Sequence, residues 1–546
     1  MVRKVFNSLG GRIGGLGEAA FWLSLFSLFS QILALLRDRL LAHSFGVTKS
    51  LDIYYASFKI PDLIFVTIAS IVSISALVPV FARKEEEGER QLKEATDSIF
   101  TVFSFSIVFF CSVSFLLMPY IISYSFSNLG SGAISEITFL SRILLFSPLL
   151  LGFSNFFGSI VQYEKRFILY SISPLLYNLG IILGIYFLSE KIGIMSAVIG
   201  VILGAFLHLS LQAVYIFYSP RKPKLTIRVN WQDVKEIAML SVPRTLAVSI
   251  VSFVGFFFAV LASKMAEGSI AIFNFSWNLQ SAPISLIGVS FSLAAFPSLS
   301  VSAAKNKMDE VVSKISSGLR QIIFWSIPIT TLIVILRAHI VRLVLGSGFF
   351  DWQSTRLVAA TLALFVFSLV FQNILLFLSR SHYALGRTRW PLLANILSGF
   401  ISVVLGFIFL NYFFEFKSFF YLVSEILKIE DLSSTVIVLP LAFSMGSIAG
   451  SILIFLGFGR RMCLDIWRGF SGHLFKIFVS SSFLFFSSYY TLNFSDHLFD
   501  LNTFWGVFMH GALAGLVGIA VWAISLYKWG DRDIVNIAVF IKNKIS

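Results

Sequence analysis

The chain has 546 residues, of which 57% are hydrophobic and only 13% are charged, and its formal net charge is +14. Soluble globular proteins carry about 25% charged residues, so this composition excludes an ordinary soluble protein. The two cysteines, Cys111 and Cys463, lie far apart and argue against a disulfide framework. The first apolar segment is too long for a signal peptide and lacks a convincing cleavage site, so we expect a retained first span.

Apolar runs recur along the whole chain, and a helix needs about 20 such residues to cross a bilayer. The predicted fold class is therefore an all-α polytopic membrane protein with about 14 transmembrane helices. In chain order the predicted spans are 19–45, 53–82, 98–125, 137–162, 167–188, 193–218, 236–263, 270–301, 318–345, 355–379, 390–413, 434–457, 473–493 and 504–527.

The loops between these spans differ in their content of basic residues. If the N-terminus is cytoplasmic, the inner segments carry 27 Lys and Arg residues and the outer loops carry 6. Cytoplasmic loops of membrane proteins are enriched in Lys and Arg. Both termini are therefore expected to be cytoplasmic, and the positive charge reflects topology rather than a nucleic acid partner.

Two short motifs recur at nearly the same offset. Ala-Leu-Val-Pro at 76–79 matches Ala-Ala-Phe-Pro at 294–297, and Pro-Leu-Leu-Tyr-Asn at 174–178 matches Pro-Leu-Leu-Ala-Asn at 391–395. These offsets of 218 and 217 residues indicate two copies of a six-helix unit, related by a pseudo-two-fold axis along the membrane normal. The predicted organisation is a cytoplasmic segment 1–18, an N-lobe 19–218, a cytoplasmic linker 219–235, a C-lobe 236–457, two additional helices within 458–527 and a cytoplasmic tail 528–546.

Several catalytic signatures are absent from the sequence. It has no glycine-rich Walker A loop, no two histidines four residues apart and no nucleophile elbow. These absences argue against ATP hydrolysis, a metal centre and intramembrane catalysis. We therefore expect a carrier that is not an enzyme and that uses no cofactor or metal. The outer loop 414–433 has mixed charge and is assigned no function.

Ionisable side chains inside membrane spans are costly and are functional candidates by default. They are densest in the first two spans, at Arg37, Asp38, Arg39, Asp52, Lys59 and Asp62. Asp52 and Lys59 lie two helical turns apart on one face, and Pro61 loosens the same helix. Arg37 and Lys59 are predicted to line a polar cavity. Asp38 and Asp52 either line this cavity or pair with its cations, and Asp52 could also cap the second helix.

The second half of the chain offers fewer candidates. Arg244, two turns inside the seventh span, either lines the cavity or reaches the membrane interface. Asn278, in the eighth span, either lines the cavity or binds a neighbouring helix. A cavity with net positive charge suits an anion, and arginine matches the geometry of phosphate. The predicted substrate-binding residues are Arg37, Asp38, Asp52, Lys59, Arg244 and Asn278.

At these residues the chain resembles a known family. Residues 33–46, which contain Leu-Leu-Arg-Asp-Arg-Leu-Leu-Ala, resemble the first-helix signature of the MurJ/MviN family, and residues 52–63 resemble its second-helix signature. Less specific matches lie at 166–178, 294–298 and 383–391, and the resemblance extends over residues 20–530.

The resemblance implies a member of the multidrug/oligosaccharidyl-lipid/polysaccharide exporter superfamily in the bacterial inner membrane. Such a protein has two six-helix lobes and two extra helices that form a groove for a lipid tail. Family members move lipid II, the undecaprenyl-diphosphate-linked peptidoglycan precursor, between leaflets, and we expect alternating access. The family's cationic cavity positions carry over at Arg37 and Lys59, and its acidic positions at Asp38 and Asp52. The implied partners of a monomeric carrier are the lipid-linked precursor, membrane lipids and the cell wall synthesis machinery.

The sequence also departs from the family pattern, with uncharged residues at several positions where the family is commonly charged. These positions are Gln31, Phe65, Ser70, Trp277 and Asn278, and Arg387 stands where an acidic residue is common. Another undecaprenyl-linked oligosaccharide, of O-antigen or capsule type, therefore remains an alternative substrate. A cation-coupled multidrug exporter and a membrane scaffold are further alternatives.

Overall fold

A computed structural model describes residues 16–72, 74–412, 435–531 and 533–535, together with 421, 423, 425 and 427. Within these ranges the side chains of 16–21, 70, 74–76, 240, 243, 244 and 435 are outside the description. The described residues form helices and connecting turns, with no strand among them. By its internal contacts the chain divides into two compact units, Met1–Ala271 and Ile272–Ser546.

The first unit contains nine long helices among its described residues. They are α1 (Leu16–Phe45), α2 (Lys49–Ile68), α3 (Ile74–Glu87), α4 (Glu89–Ser125), α5 (Ser131–Leu144), α6 (Phe146–Tyr163), α7 (Phe167–Ile192), α8 (Met195–Tyr218) and α9 (Trp231–Ala262). A 3-10 turn, Ala69–Val72, follows α2.

Helix α10 (Ser269–Ile284) begins at the end of the first unit and continues into the second. The second unit continues with α11 (Ser290–Ala304), α12 (Met308–Leu345), α13 (Trp352–Ala384), α14 (Arg389–Asn411), α15 (Val438–Leu456), α16 (Arg460–Ser495) and α17 (Phe504–Lys528). A π-helical turn, Ser285–Val289, joins α10 to α11.

Local sequence sets several helix ends. The side chains of Asn230, Asp351 and Thr503 accept backbone N–H bonds at the first turns of α9, α13 and α17. Such side chains satisfy donors that have no partner inside the helix. Between α1 and α2, Gly46 has φ +61°, a conformation that favours glycine and turns the chain sharply.

Twelve helical stretches in the described part of the chain are long and apolar enough to cross a membrane. They coincide with the third to fourteenth predicted spans. Helices α5 and α6 together form one of these stretches, and helices α10 and α11 together form another. The first two predicted spans correspond to α1 and to α2 with α3. The membrane crossing of these two stays a prediction. The all-α polytopic fold class is confirmed.

Helix α9 groups with the first unit rather than with the helices that follow it. Its Ser241 hydroxyl donates a hydrogen bond to the carbonyl of Ile71, at 2.8 Å. At the start of α9, Glu236 forms an ion pair with Arg83, and Asp233 lies 3.2 Å from Lys84 Nζ. The predicted linker at 219–235 ends inside the first turns of α9, whereas the contacts divide the chain after Ala271. The lobe boundary drawn from sequence stays a prediction.

The predicted duplication has a structural counterpart within each unit. In α7, Asn178 Nδ2 donates to the carbonyl of Pro174 at 3.2 Å. In α14, Asn395 Nδ2 donates to the carbonyl of Pro391 at 2.8 Å. The same side chain therefore makes the same local bond at both copies of the motif, which supports the six-helix repeat.

Glycines allow α7 and α8 to pack with their backbones in contact. A Cβ added to Gly180 would lie 2.3 Å from Gly204 Cα, and one added to Gly204 would lie 2.2 Å from the carbonyl oxygen of Tyr177. Gly184 and Gly200 form a second such contact along the same helix pair. Small residues at these positions let membrane helices approach closely.

We expect Gly204→Leu to lower the stability of the protein strongly. Its side chain meets backbone rather than a flexible neighbour, so the helices must separate, and overpacking of this kind costs about 1–3 kcal/mol or more. Gly255→Ala is the matched control, because a Cβ at that position has nothing within 4 Å. Thermal unfolding of the purified protein in detergent measures both variants. Equal melting temperatures for the two would contradict the close packing of α7 on α8.

The last two helices pack on α12. The rings of Phe324 and Trp522 have centroids 5.0 Å apart, and the Ser488 hydroxyl of α16 donates to the Ala514 carbonyl of α17 at 3.0 Å. After α17, Asp533 pairs with Arg320 at 3.0 Å. The two additional helices of the sequence analysis are therefore an integral part of the second unit.

Candidate functional site

Arg37 is held by an acidic neighbour and by an amide from α7. Its Nε and Nη2 donate to Asp38 Oδ1 at 3.0 and 2.8 Å, and its Nη1 donates to Asn178 Oδ1 at 3.3 Å. Asp38 and Asn178 are buried, while 21% of the Arg37 side chain is exposed. The guanidinium is thus held by two buried partners, and part of the Arg37 side chain stays accessible.

Asn178 orients this arginine because its own amide is fixed. Its Nδ2 donates to Pro174 O in its own helix and to Ser30 Oγ of α1 at 3.3 Å. With Nδ2 committed as the donor, Oδ1 is left to accept from Arg37. The sequence marks Asn178 only through its recurrence at Asn395, and it gives no sign of a partner 141 residues away.

Lys59 and Asp62 form a second charged group one turn apart on α2. They interact electrostatically, and the hydroxyl of Ser252 from α9 hydrogen-bonds to Asp62. Lys59 is half-buried, and Asp62 is exposed. Both charges therefore lie at a polar, accessible surface of α2 in the first unit.

Tyrosines connect these two charged groups. Tyr177 of α7 interacts electrostatically with both Arg37 and Asp62. Tyr54, which is buried, lies in the field of Arg37 as well. The first unit therefore gathers Arg37, Asp38, Lys59 and Asp62 into one polar cluster, which we call the α1–α2 cluster. The charges of its two cations and two carboxylates cancel. These four residues alone therefore do not form a lining with net positive charge.

Asp52 is committed to the backbone of α10. Its Oδ2 accepts the N–H of Gly268 at 2.6 Å and its Oδ1 accepts the N–H of Ala271 at 2.8 Å. Asp52 is 4% exposed. A carboxylate at a helix N-terminus satisfies free N–H groups and stabilises the positive end of the helix. The structure thus gives Asp52 a cap position at the eighth predicted span, rather than at its own helix.

Helix α2 is capped in turn by a residue that lies just before α10. Glu267 Oε1 accepts the N–H of Lys49, the first residue of α2, at 2.9 Å. Lys49 and Glu267 are 218 residues apart, which is the offset of the repeat. The equivalent ends of α2 and α10 therefore cap each other, one through buried Asp52 and the other through exposed Glu267.

The other two predicted site residues lie on different helices. Arg244 is in α9, and its side chain is outside the described residues. Asn278 is half-buried in α10 within the second unit, where its carbonyl accepts a hydrogen bond from Ser281 at 2.7 Å. The roles of Arg244 and Asn278 in substrate binding stay predictions.

Comparisons with known proteins agree on one family. The family model described as lipid II flippase MurJ matches residues 41–508. A probable lipid II flippase MurJ of Borreliella burgdorferi is 23% identical over 401 residues, covering 70% of this chain and 76% of that protein. The lipid II flippase MurJ of Burkholderia cenocepacia is 23% identical over 460 residues, covering 81% of this chain and 84% of that protein.

Solved structures show the same fold. A lipid II flippase MurJ in an inward closed conformation matches with a TM-score of 0.74 at 22% identity, covering 94% of this chain and 99% of that one. An inward-facing multidrug resistance transporter of the MATE family matches with a TM-score of 0.65 at 15% identity, covering 80% of this chain and 96% of that one.

Proposed function

Since the chain belongs to the MurJ family of lipid II flippases, we propose that it moves lipid II from the inner to the outer leaflet of the bacterial cytoplasmic membrane. The observation that carries this proposal is the α1–α2 cluster, in which Arg37 presents donors next to a second charged group on α2. The polar headgroup would occupy this region while the lipid tail stays in the membrane beside α16 and α17.

The geometry of Arg37 suits a phosphate ligand. A guanidinium has five N–H donors, of which Asp38 and Asn178 take three. One N–H on each terminal nitrogen is therefore left for an incoming anion. Two parallel N–H bonds to phosphate are the preferred geometry for arginine. The diphosphate would thus bind Arg37 without first displacing Asp38.

Transport would follow alternating access, with both termini in the cytoplasm as the basic loops indicate. The sequence has no Walker A loop, so the driving force would come from the membrane potential, an ion gradient or consumption of the product. A charge crossing the membrane gains roughly 2.3 kcal/mol per 100 mV. The chain would work as a monomer that delivers substrate to the cell wall synthesis machinery.

A second substrate class is favoured by one feature of the sequence. Gln31, Phe65 and Ser70 stand where the family is commonly charged, and the α1–α2 cluster is balanced rather than cationic. Fewer free cations would suit a lipid-linked oligosaccharide with a different charge. Such a substrate, of O-antigen or capsule type, is the alternative proposal.

Complementation separates the two proposals. We expect this chain to restore growth and cell shape to bacteria depleted of their lipid II flippase, and to restore the exposure of lipid II at the outer surface. A strain that lacks an O-antigen flippase is the parallel recipient. Rescue of the second strain alone, with equal amounts of protein in both membranes, would reject lipid II as the substrate.

A further inference from the structure

The second unit contains a cavity that lies apart from the α1–α2 cluster. It has a volume of about 750 Å³ and opens between α12, α13 and α16. Its wall is largely apolar, with Phe367 and Tyr489 among the exposed aromatic side chains, but it includes Arg337 and His339 of α12 and Arg356 of α13. Ligand pockets in proteins commonly enclose about 300–1,000 Å³ and combine apolar walls with a few polar groups.

Arg337 is the unusual residue of this wall. It is half-buried eight residues before the end of α12, inside a stretch that is apolar enough to span the membrane. Its Nη1 donates to the carbonyl of Val334 in its own helix at 2.9 Å. Within the described part of the chain it has no carboxylate partner. A charged side chain inside a span is costly and normally faces a partner or a pathway, so an anion is missing beside Arg337.

We propose that this cavity binds one anionic diacyl phospholipid, with its phosphate on Arg337 and its acyl chains along the apolar wall. Arg337 and Arg356 place positive charge in an otherwise largely apolar wall, which suits a lipid with an anionic headgroup. The cavity lies at the ends of α12 and α16 that the basic loops assign to the outer side, so the lipid would come from the outer leaflet.

Lipid-dependent melting tests this proposal. The full chain is purified in detergent and titrated with phosphatidylglycerol or phosphatidylcholine of the same acyl chains. We expect phosphatidylglycerol to raise the melting temperature and phosphatidylcholine to have little effect. Arg337→Gln should weaken the apparent affinity for phosphatidylglycerol by at least about tenfold, since it removes a charged hydrogen-bond donor. Equal stabilisation by the two lipids would overturn the proposal.

Two further variants keep the test decisive. Arg142→Gln removes an arginine of α5 that lies over the Phe115 ring at 4.7 Å and not in the cavity wall, and it should keep the phosphatidylglycerol effect. Val334→Trp leaves Arg337 in place but fills the cavity, and should abolish the effect even if Arg337→Gln fails to fold. Retention of the lipid shift in Val334→Trp, or an equal shift with undecaprenyl phosphate, would refute a phospholipid site here.

Discussion

Replacing Arg37 by Gln should reduce transport by about 10- to 100-fold, because the charged hydrogen bonds that it offers a phosphate are worth about 1.5–3 kcal/mol. The measurement is the appearance of lipid II at the outer surface of cells that depend on this chain, at matched amounts of protein in the membrane. Arg37→Lys keeps the charge but loses the two-pronged geometry, so it should fall between wild type and Arg37→Gln.

A loss of transport in Arg37→Gln has two explanations, a loss of substrate binding and a loss of protein stability, and an experiment has to separate them. Arg37→Gln removes the cation that pairs with buried Asp38, and breaking a buried pair in this way costs about 3–5 kcal/mol of stability. The double variant Arg37→Gln/Asp38→Asn removes both charges and should recover much of that stability. If Arg37 binds substrate, the double variant folds but stays inactive. If transport returns with stability, Arg37 serves only to neutralise Asp38.

A matched control is available in the same unit. Arg142 of α5 lies over the Phe115 ring at 4.7 Å and donates to the Phe115 carbonyl at 3.1 Å. It has no contact with the α1–α2 cluster among the described side chains. Arg142→Gln should therefore lower transport by less than about twofold, consistent with the weak net effect of most surface substitutions. A loss as large as that of Arg37→Gln would argue against a specific role for Arg37.

The second large effect is expected at Asp52. Asp52→Ala removes the acceptor for two N–H groups, of Gly268 and Ala271, and should lower stability by about 2–4 kcal/mol, since each charged hydrogen bond contributes about 1.5–3 kcal/mol and part is regained from water. Asp52→Asn keeps one acceptor oxygen and should lose about half as much. Thermal unfolding of the purified variants in detergent measures both.

Glu267 provides the internal comparison for Asp52. It caps α2 in the reciprocal position but is exposed, so Glu267→Gln should cost less than about 1 kcal/mol, the range of exposed helix caps. If Asp52→Ala melts like wild type but loses transport, the carboxylate acts on the substrate rather than on the backbone of α10. Equal destabilisation by Asp52→Asn and Glu267→Gln would contradict the burial argument.

Local sequence patterns were sufficient for the fold class. Runs of apolar residues predicted the spans, and twelve of them coincide with apolar helices of the described chain. Hydropathy and helix length are properties of neighbouring residues, which is why they can be read without tertiary structure. The offset of 218 residues was likewise found in the sequence. In the structure Lys49 and Glu267, which are separated by this same number of residues, form a hydrogen bond.

The sequence also identified Arg37, Asp38 and Lys59, because ionisable residues stand out against an apolar span. It could not identify their partners. Asn178 binds Arg37 from 141 residues away, and Ser252 reaches Asp62 from α9. The sequence did not single out Arg337, although it lies inside the predicted span 318–345. Only the cavity beside it marks Arg337 as exceptional.

The sequence by itself determined that this chain is a helical membrane protein built from a repeated unit, and where its intramembrane charges lie. Only the tertiary structure decided what those charges contact: that Asp52 caps α10, that α9 packs with the first unit, and that Arg37 faces both Asp38 and Asn178. The reason is that periodicity and hydropathy depend on adjacent residues, whereas a hydrogen bond between distant helices depends on how the whole unit packs.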